Sequence, residues 1–209
     1  MTSRIHSVDN IEIISLKTPH IYSITNDIFF STVFSLYNIP HTSQDKTIHF
    51  EAKSIISLEN YLLSHKKLTT EAVLKLIYDI GFIIKTLEKT GNSIFAFSLT
   101  DIVMLNGEIF MFVNPSKIVQ IKNNEMVLKT PISLTDAFIS PEIKLDRLPI
   151  KCDLGFTYYS FGLLILYLIT NKRYEKFSDE VLTDLRDLSG TKLYYFILRC
   201  LQEKHFLYI

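Results

Sequence analysis

Six histidines (His6, His20, His41, His49, His65 and His205) and two cysteines, Cys152 and Cys200, are the side chains best suited to hold a metal. None stands at metal-ligand spacing from another: there is no H-E-x-x-H motif and no cysteine pair. Metal catalysis therefore has no support in the sequence. Nucleophilic catalysis has little more. No G-x-S-x-G turn is present, and Cys152-Asp153 has no histidine at a spacing that would make a base of it. A phosphate-cradling loop needs glycine, yet the first glycine is Gly81, so none precedes the N-terminal strands. That leaves Asp101, just ahead of an apolar run, and Lys17, at the end of another. Asp101 is of a type to touch a cation or to bond the backbone of its own turn, and the second role is the expectation. Lys17 reads as a charged residue at a strand end.

The composition narrows the classes further. The chain has 209 residues, 47% of them hydrophobic and 21% charged, enough to bury a sizeable core in one domain or a small two-lobed one. Lys plus Arg and Asp plus Glu balance at 22 each, which gives no electrostatic case for nucleic acid or an anionic membrane. The basic pairs Lys66-Lys67 and Lys172-Arg173 read as solvated helix ends. The longest apolar stretch, Phe156 to Ile169, is interrupted by Thr157, Ser160 and Gly162 and falls short of the roughly 20 residues that span a bilayer. The N-terminus lacks the apolar core of a signal peptide, and two lone thiols suit a reducing compartment. The expected location is intracellular, cytoplasmic or nuclear, and Cys200 is expected in the core.

The elements that must position these residues fall into two halves. Through about residue 55, strands are expected at Ile11–Leu16, Thr32–Tyr37 and Thr47–Glu51, with a polar turn over His41–Lys46 and a short helix within residues 20–30. Helices follow. Ser57 caps one through Leu63, and Thr69 or Thr70 caps a longer one with the stripe Val73, Leu74, Ile77, Ile80, Ile84, Leu87, closed by Gly91. Asn106-Gly107 between two apolar runs predicts a hairpin of Ile102–Leu105 with Ile109–Val113. Residues 115–139 read as irregular, and helices resume near Pro141 and over 156–170, 178–188 and 191–203. The doubled tyrosines Tyr158-Tyr159 and Tyr194-Tyr195 each leave one ring free for a partner if the other faces the core.

Several stretches, taken in order, carry a resemblance. Ser140-Pro141-Glu142 ahead of the apolar helix Tyr158–Thr170 resembles the A-P-E triplet and long buried helix of a protein kinase. Ser57-Leu58-Glu59-Asn60-Tyr61-Leu62 resembles the segment after a kinase hinge, Asp101–Leu105 the N-I-L-L after the catalytic loop, and Leu198–Leu201 a late helix of the large lobe. The likeness runs from about residue 30 to residue 209. It implies an α+β, protein-kinase-like fold, with residues 1–55 as a reduced β-rich N-lobe and residues 56–209 as a mainly helical C-lobe.

The same frame removes the chemistry. With Asp101 at the Asn position, the H-R-D triplet falls on Ile94-Phe95-Ala96, and Ala96 has no carboxylate. D-F-G falls on Val113-Asn114-Pro115, or, one residue along, on Asn114, a weak neutral ligand. The helix aspartate falls on Thr157, and the arginine partner of the triplet's glutamate near Tyr208, which leaves Arg147 or Arg199 to pair with Glu142. The resemblance thus implies a catalytically silent pseudokinase that binds or scaffolds a protein partner, with no catalytic residues, no metal, no cofactor and no expected ATP binding. The expected contact surfaces are residues 116–139 and the helices after Ile169. Two alternatives stay open: a KIND-type C-lobe domain that binds peptides without an N-lobe, and a divergent kinase holding nucleotide through Lys17 and Asp101.

Overall fold

The computed structural model describes residues 2–25, 28–139, 148–174 and 176–202. The fold is mixed α+β with antiparallel sheets. The first sheet has five strands: β1 (Ser3–Val8), β2 (Ile11–Ser15), β3 (Ile21–Thr25), β4 (His41–Gln44) and β5 (Thr47–Glu51), in the order β1-β2-β3-β5-β4. Helix α1 (Ile28–Leu36) lies between β3 and β4 in sequence. It buries Phe30, Val33 and Phe34, and Phe34 stacks on Phe50 of β5 with ring centroids 4.6 Å apart.

Three expectations for this half are corrected. The strand expected at Thr32–Tyr37 is the second half of α1. Its buried residues recur at helical spacing, and aromatic packing outweighs the strand preference of Thr32 and Val33. The helix expected within residues 20–30 is strand β3, paired along its length with β5. The polar turn expected over His41–Lys46 is mostly edge strand β4, whose exposed polar side chains suit an edge, and only Asp45-Lys46 turn.

The remainder is built around helices. Strand β6 (Ile55–Ser57) leads into α2 (Leu58–His65), where the Ser57 hydroxyl accepts from the Asn60 N–H as its N-cap. Thr69 caps α3 (Thr70–Lys89) in the same way through the Ala72 N–H. Helix α3 buries Val73, Leu76, Ile80, Ile83, Ile84 and Leu87, while Leu74 of the expected stripe is exposed. Strands β7 (Asn92–Ile94), β8 (Ile102–Leu105) and β9 (Ile109–Phe112) follow. Strands β8 and β9 form the expected hairpin, with Asn106 and Gly107 both at positive φ, and β6 joins its edge.

Residues 115–139 are not irregular throughout. A 3-10 turn at Pro115–Lys117 leads to β10 (Ile118–Lys122) and β11 (Glu125–Leu128), joined by Asn123-Asn124, both at positive φ. Asparagine tolerates that conformation, so the pair serves as an Asn-Gly turn would. With β7 on one edge and β12 (Ile150–Asp153) on the other, these strands make a four-stranded sheet. The expected Ser140-Pro141-Glu142 motif, the helix near Pro141, Arg147 and Tyr208 lie outside the described residues.

Helix α4 (Gly155–Thr170) is buried on nearly every side, and Asn171 closes it in the left-handed conformation. Gly162 lets α6 (Lys192–Leu201) approach: a Cβ at that position would stand 2.5 Å from the Cys200 Cβ. Helix α5 (Asp179–Asp184) is shorter than expected and passes into a 3-10 turn at Arg186–Leu188. Among the described residues, no helix is long and apolar enough to cross a membrane.

Candidate functional site

Asp101 ends a 3-10 turn between β7 and β8 and is fully buried. The turn forms because Asp101 Oδ2 accepts the Ser98 N–H at 2.6 Å while the Asp101 N–H donates to the Ser98 carbonyl. This is the backbone-bonding role expected of it. Sequence reasoning did not anticipate its ion pair: Lys117 Nζ lies 2.7 Å from Oδ2 and also donates to Ser98 Oγ at 2.7 Å.

Asn114 completes the shell. Its Nδ2 donates to Asp101 Oδ1 and to Asp9 Oδ2, each at 2.8 Å. Asp9 belongs to the tight turn joining β1 to β2 and has positive φ, with Val8 paired to Ile11 on either side. Ser116 Oγ lies 2.7 Å from Asp9 Oδ2 and 2.6 Å from Asn114 Oδ1. The turn between the first two strands is therefore bonded onto the floor formed by the chain after β9. His6 of β1 adds a further tie, its Nε2–H donating to the Thr100 carbonyl at 2.8 Å. Burial holds the His6 imidazole below its ordinary pKa, outweighing the carbonyl bond and the Asp101 and Glu59 charges, which act in the opposite sense.

A cavity of about 450 Å³ adjoins this cluster. Its charged lining is Asp9, Glu59, Asp101 and Asp136 against Lys117 and Arg173, an excess of carboxylate. Arg173 is held by the Asp136 carbonyl and stacks over Phe138 and Tyr167, so this half of the Lys172-Arg173 pair is more than a solvated helix end. Among the described residues, no group of three or more His, Cys, Asp or Glu side chains is placed to hold a metal ion. Both oxygens of Asp101 and both polar atoms of the Asn114 amide are bonded to protein groups. Such a shell is a structural network: it offers little to a ligand, and leaving any member unpaired is costly.

The other positions singled out by sequence are apart from this cluster. Lys17 is exposed beyond the end of β2 and does not line the cavity. Ile94, Phe95, Ala96 and Val113 are buried apolar packing residues. Thr157 is not a lost tie: its Oγ1 donates to the Ile94 carbonyl at 2.7 Å and lies 2.8 Å from Ser93 Oγ, pinning α4 to β7. Cys200 is in the core as expected, and burial pushes it and Cys152 up to about 12. Lys117 and Asp9 were missed because a buried pair is joined by the fold, not by adjacency. Asn114 had a signal, its distance from Asp101 in the kinase-like frame.

No protein-family model matches this chain, and no curated protein matches it.

Proposed function

We propose that the chain is a catalytically silent, protein-kinase-like domain that acts as a protein-binding or scaffolding module. The observation that carries this reading is the closed shell around Asp101 and Asn114. In a kinase, residues at the place of Asp101, and at that of Asn114 in the frame shifted by one residue, hold magnesium, and a glycine-rich turn leaves room for phosphates beneath it. Here Lys117 occupies the Asp101 carboxylate, and the turn of β1 and β2 puts Asp9 on the Asn114 amide. A triphosphate would have to break an ion pair with 3% and 0% exposed side chains, and would meet Asp9, Glu59 and Asp136 as it entered.

The arrangement of the first sheet also favours this reading. Three strands, a helix and two more strands follow one another in the order of a kinase N-lobe, and on that reading β3 and α1 would take the places of its lysine and its paired glutamate. Neither β3 nor α1 contains a charged residue. The sheet also weighs against the KIND-type alternative, which lacks most of such a lobe. The divergent-kinase alternative needs Lys17 and Asp101 on one nucleotide; Lys17 is solvated and Asp101 is occupied. Intracellular location, and the absence of nucleic-acid or membrane partners, belong to the same proposal.

Thermal denaturation with ATP, with and without magnesium or manganese, tests it. A nucleotide held with a Kd of about 0.1 mM adds about 1.4 kcal/mol at about 1 mM ligand, a shift of several degrees. The expected shift is none, and a magnesium-dependent rise overturns the silent-module reading.

A further inference from the structure

Helix α3 carries two apolar faces. One is buried; the other presents Leu74, Tyr78 and Phe82 to solvent at 48%, 68% and 41% exposure. Across from it α6 presents Tyr195 at 53% exposure, and α4 closes the floor with Tyr158 and Phe161. Together they shape a groove of about 670 Å³, within the range of specific ligand sites. Its charged lining among the described residues is Lys85, Lys192 and Arg199, with no carboxylate. Lys85 is partly answered by Glu88 at 3.7 Å, whereas neither Lys192 nor Arg199 has a salt-bridge partner among the described residues.

The groove also selects the conformation of its occupant. Its walls are helices, whose backbone N–H and C=O groups beyond the first turn of α6 are spent on their own ladders, so an extended peptide would find few backbone partners. A helix brings its backbone already satisfied and offers apolar anchors at i, i+3 or i+4, and i+7. We propose that this groove docks an amphipathic helix of a partner protein, its apolar face against Phe82 and Tyr195 and its flanking carboxylates toward Lys192 and Arg199. The inference rests on the binding-module reading. Peptide binding is blind to nucleotide, so the two readings fail separately.

The test is selection on the full chain from a displayed library of random peptides of about 16 residues, roughly four helical turns. The expected winners combine apolar residues at helical spacing with Asp or Glu. The best of them, made as a synthetic peptide, should lose at least about tenfold in Kd against the Lys192→Glu/Arg199→Glu variant and against Phe82→Asp. All three positions are solvent-facing, and unchanged circular dichroism certifies the fold of each variant. Lysine-rich or uncharged winners, or equal enrichment on the double variant, overturn the proposal. Peptide capture seen only with Phe206→Asp/Leu207→Asp assigns the groove to the chain's own tail and overturns it. So does a dimer in gel filtration that the Lys192→Glu/Arg199→Glu variant dissolves, since a second copy would then be the occupant.

Discussion

The Lys117 ammonium stands 2.7 Å from Asp101 Oδ2, and the two side chains are 3% and 0% exposed. The pair joins the end of one hairpin to the turn that begins it, and Asn114 extends it to the first sheet through Asp9. A charge in that setting depends on its partner more than it adds to stability in its own right.

Removing one member should therefore cost more than removing both. Lys117→Met or Asp101→Asn leaves a charge or an unpaired donor in a dry site, for about 3–5 kcal/mol. In a chain of this size that lowers Tm by roughly 10 °C. Asp101→Asn combined with Lys117→Met should lose clearly less than the sum of the two single changes, since the asparagine keeps an acceptor for the Ser98 N–H. Urea denaturation of the three variants measures the coupling, and strict additivity would show that the pair is not formed.

His6 gives the first sheet a pH dependence. Burial lowers its folded pKa below the ordinary value of 6.5, so the unfolded chain binds the proton more readily. The contribution is complete above pH 6.5 and declines as pH falls through 6.5 toward the lowered value, below which it levels off. His6→Gln keeps a donor for the Thr100 carbonyl and removes the titration. Across about pH 5 to 7 the variant's stability should vary less steeply than that of the parent. Parallel curves would place the sensitivity elsewhere.

The thiols should be inert in the folded protein. Cys152 and Cys200 are both buried, with their thiols pushed up to about 12, so the reactive thiolate is scarce at neutral pH. Ellman's reagent at about pH 8 is expected to titrate neither until denaturant is added. A thiol that reacts within seconds under native conditions would contradict this burial.

The parts of this architecture that were legible in the sequence are those written locally. Ser57 and Thr69 announce helix starts because a cap bonds within its own turn. Asn106-Gly107 announces a hairpin because the turn sets its own φ. Helix α1 and strand β3 were exchanged because short apolar runs fit either period until Phe34 meets Phe50 and Tyr22 pairs with Phe50. The hairpin of β10 and β11 was hidden behind Asn123-Asn124, a turn signal weaker than Asn-Gly. Asp101 was legible as a turn residue, but its charge partner Lys117 was not, since nothing local links the two.

Asp79 is a second buried carboxylate with a measurable duty. It accepts from Lys75 at 2.5 Å and from the Phe110 N–H at 2.9 Å, and so fixes β9 on α3. Asp79→Ala orphans that N–H and should cost about 1–3 kcal/mol. Asp79→Asn keeps an acceptor and should retain more. The site-specific readout is hydrogen exchange at the Phe110 amide, which should quicken in Asp79→Ala beyond the amides of β7. Equal protection in both variants would mean the bond is not made.

Gly162 is a point of close approach between α4 and α6, and its substitution separates a steric role from a general helix preference. Alanine is the better helix former by about 1 kcal/mol. Yet at this position the new Cβ would meet the Cys200 Cβ at 2.5 Å and the Leu201 side chain at 3.2 Å. A Cβ cannot rotate away, so the helices must part, and overpacking of this kind costs about 1–3 kcal/mol. Gly162→Ala is therefore expected to destabilise. Gly162→Ala should cost about as much in a Cys200→Ala background, where the offending atom remains, and less in a Cys200→Gly background, where it is gone. Because α6 also forms one wall of the groove, the parted helices should weaken capture of the selected peptide. A neutral or stabilising Gly162→Ala would show that the two helices are not in this contact.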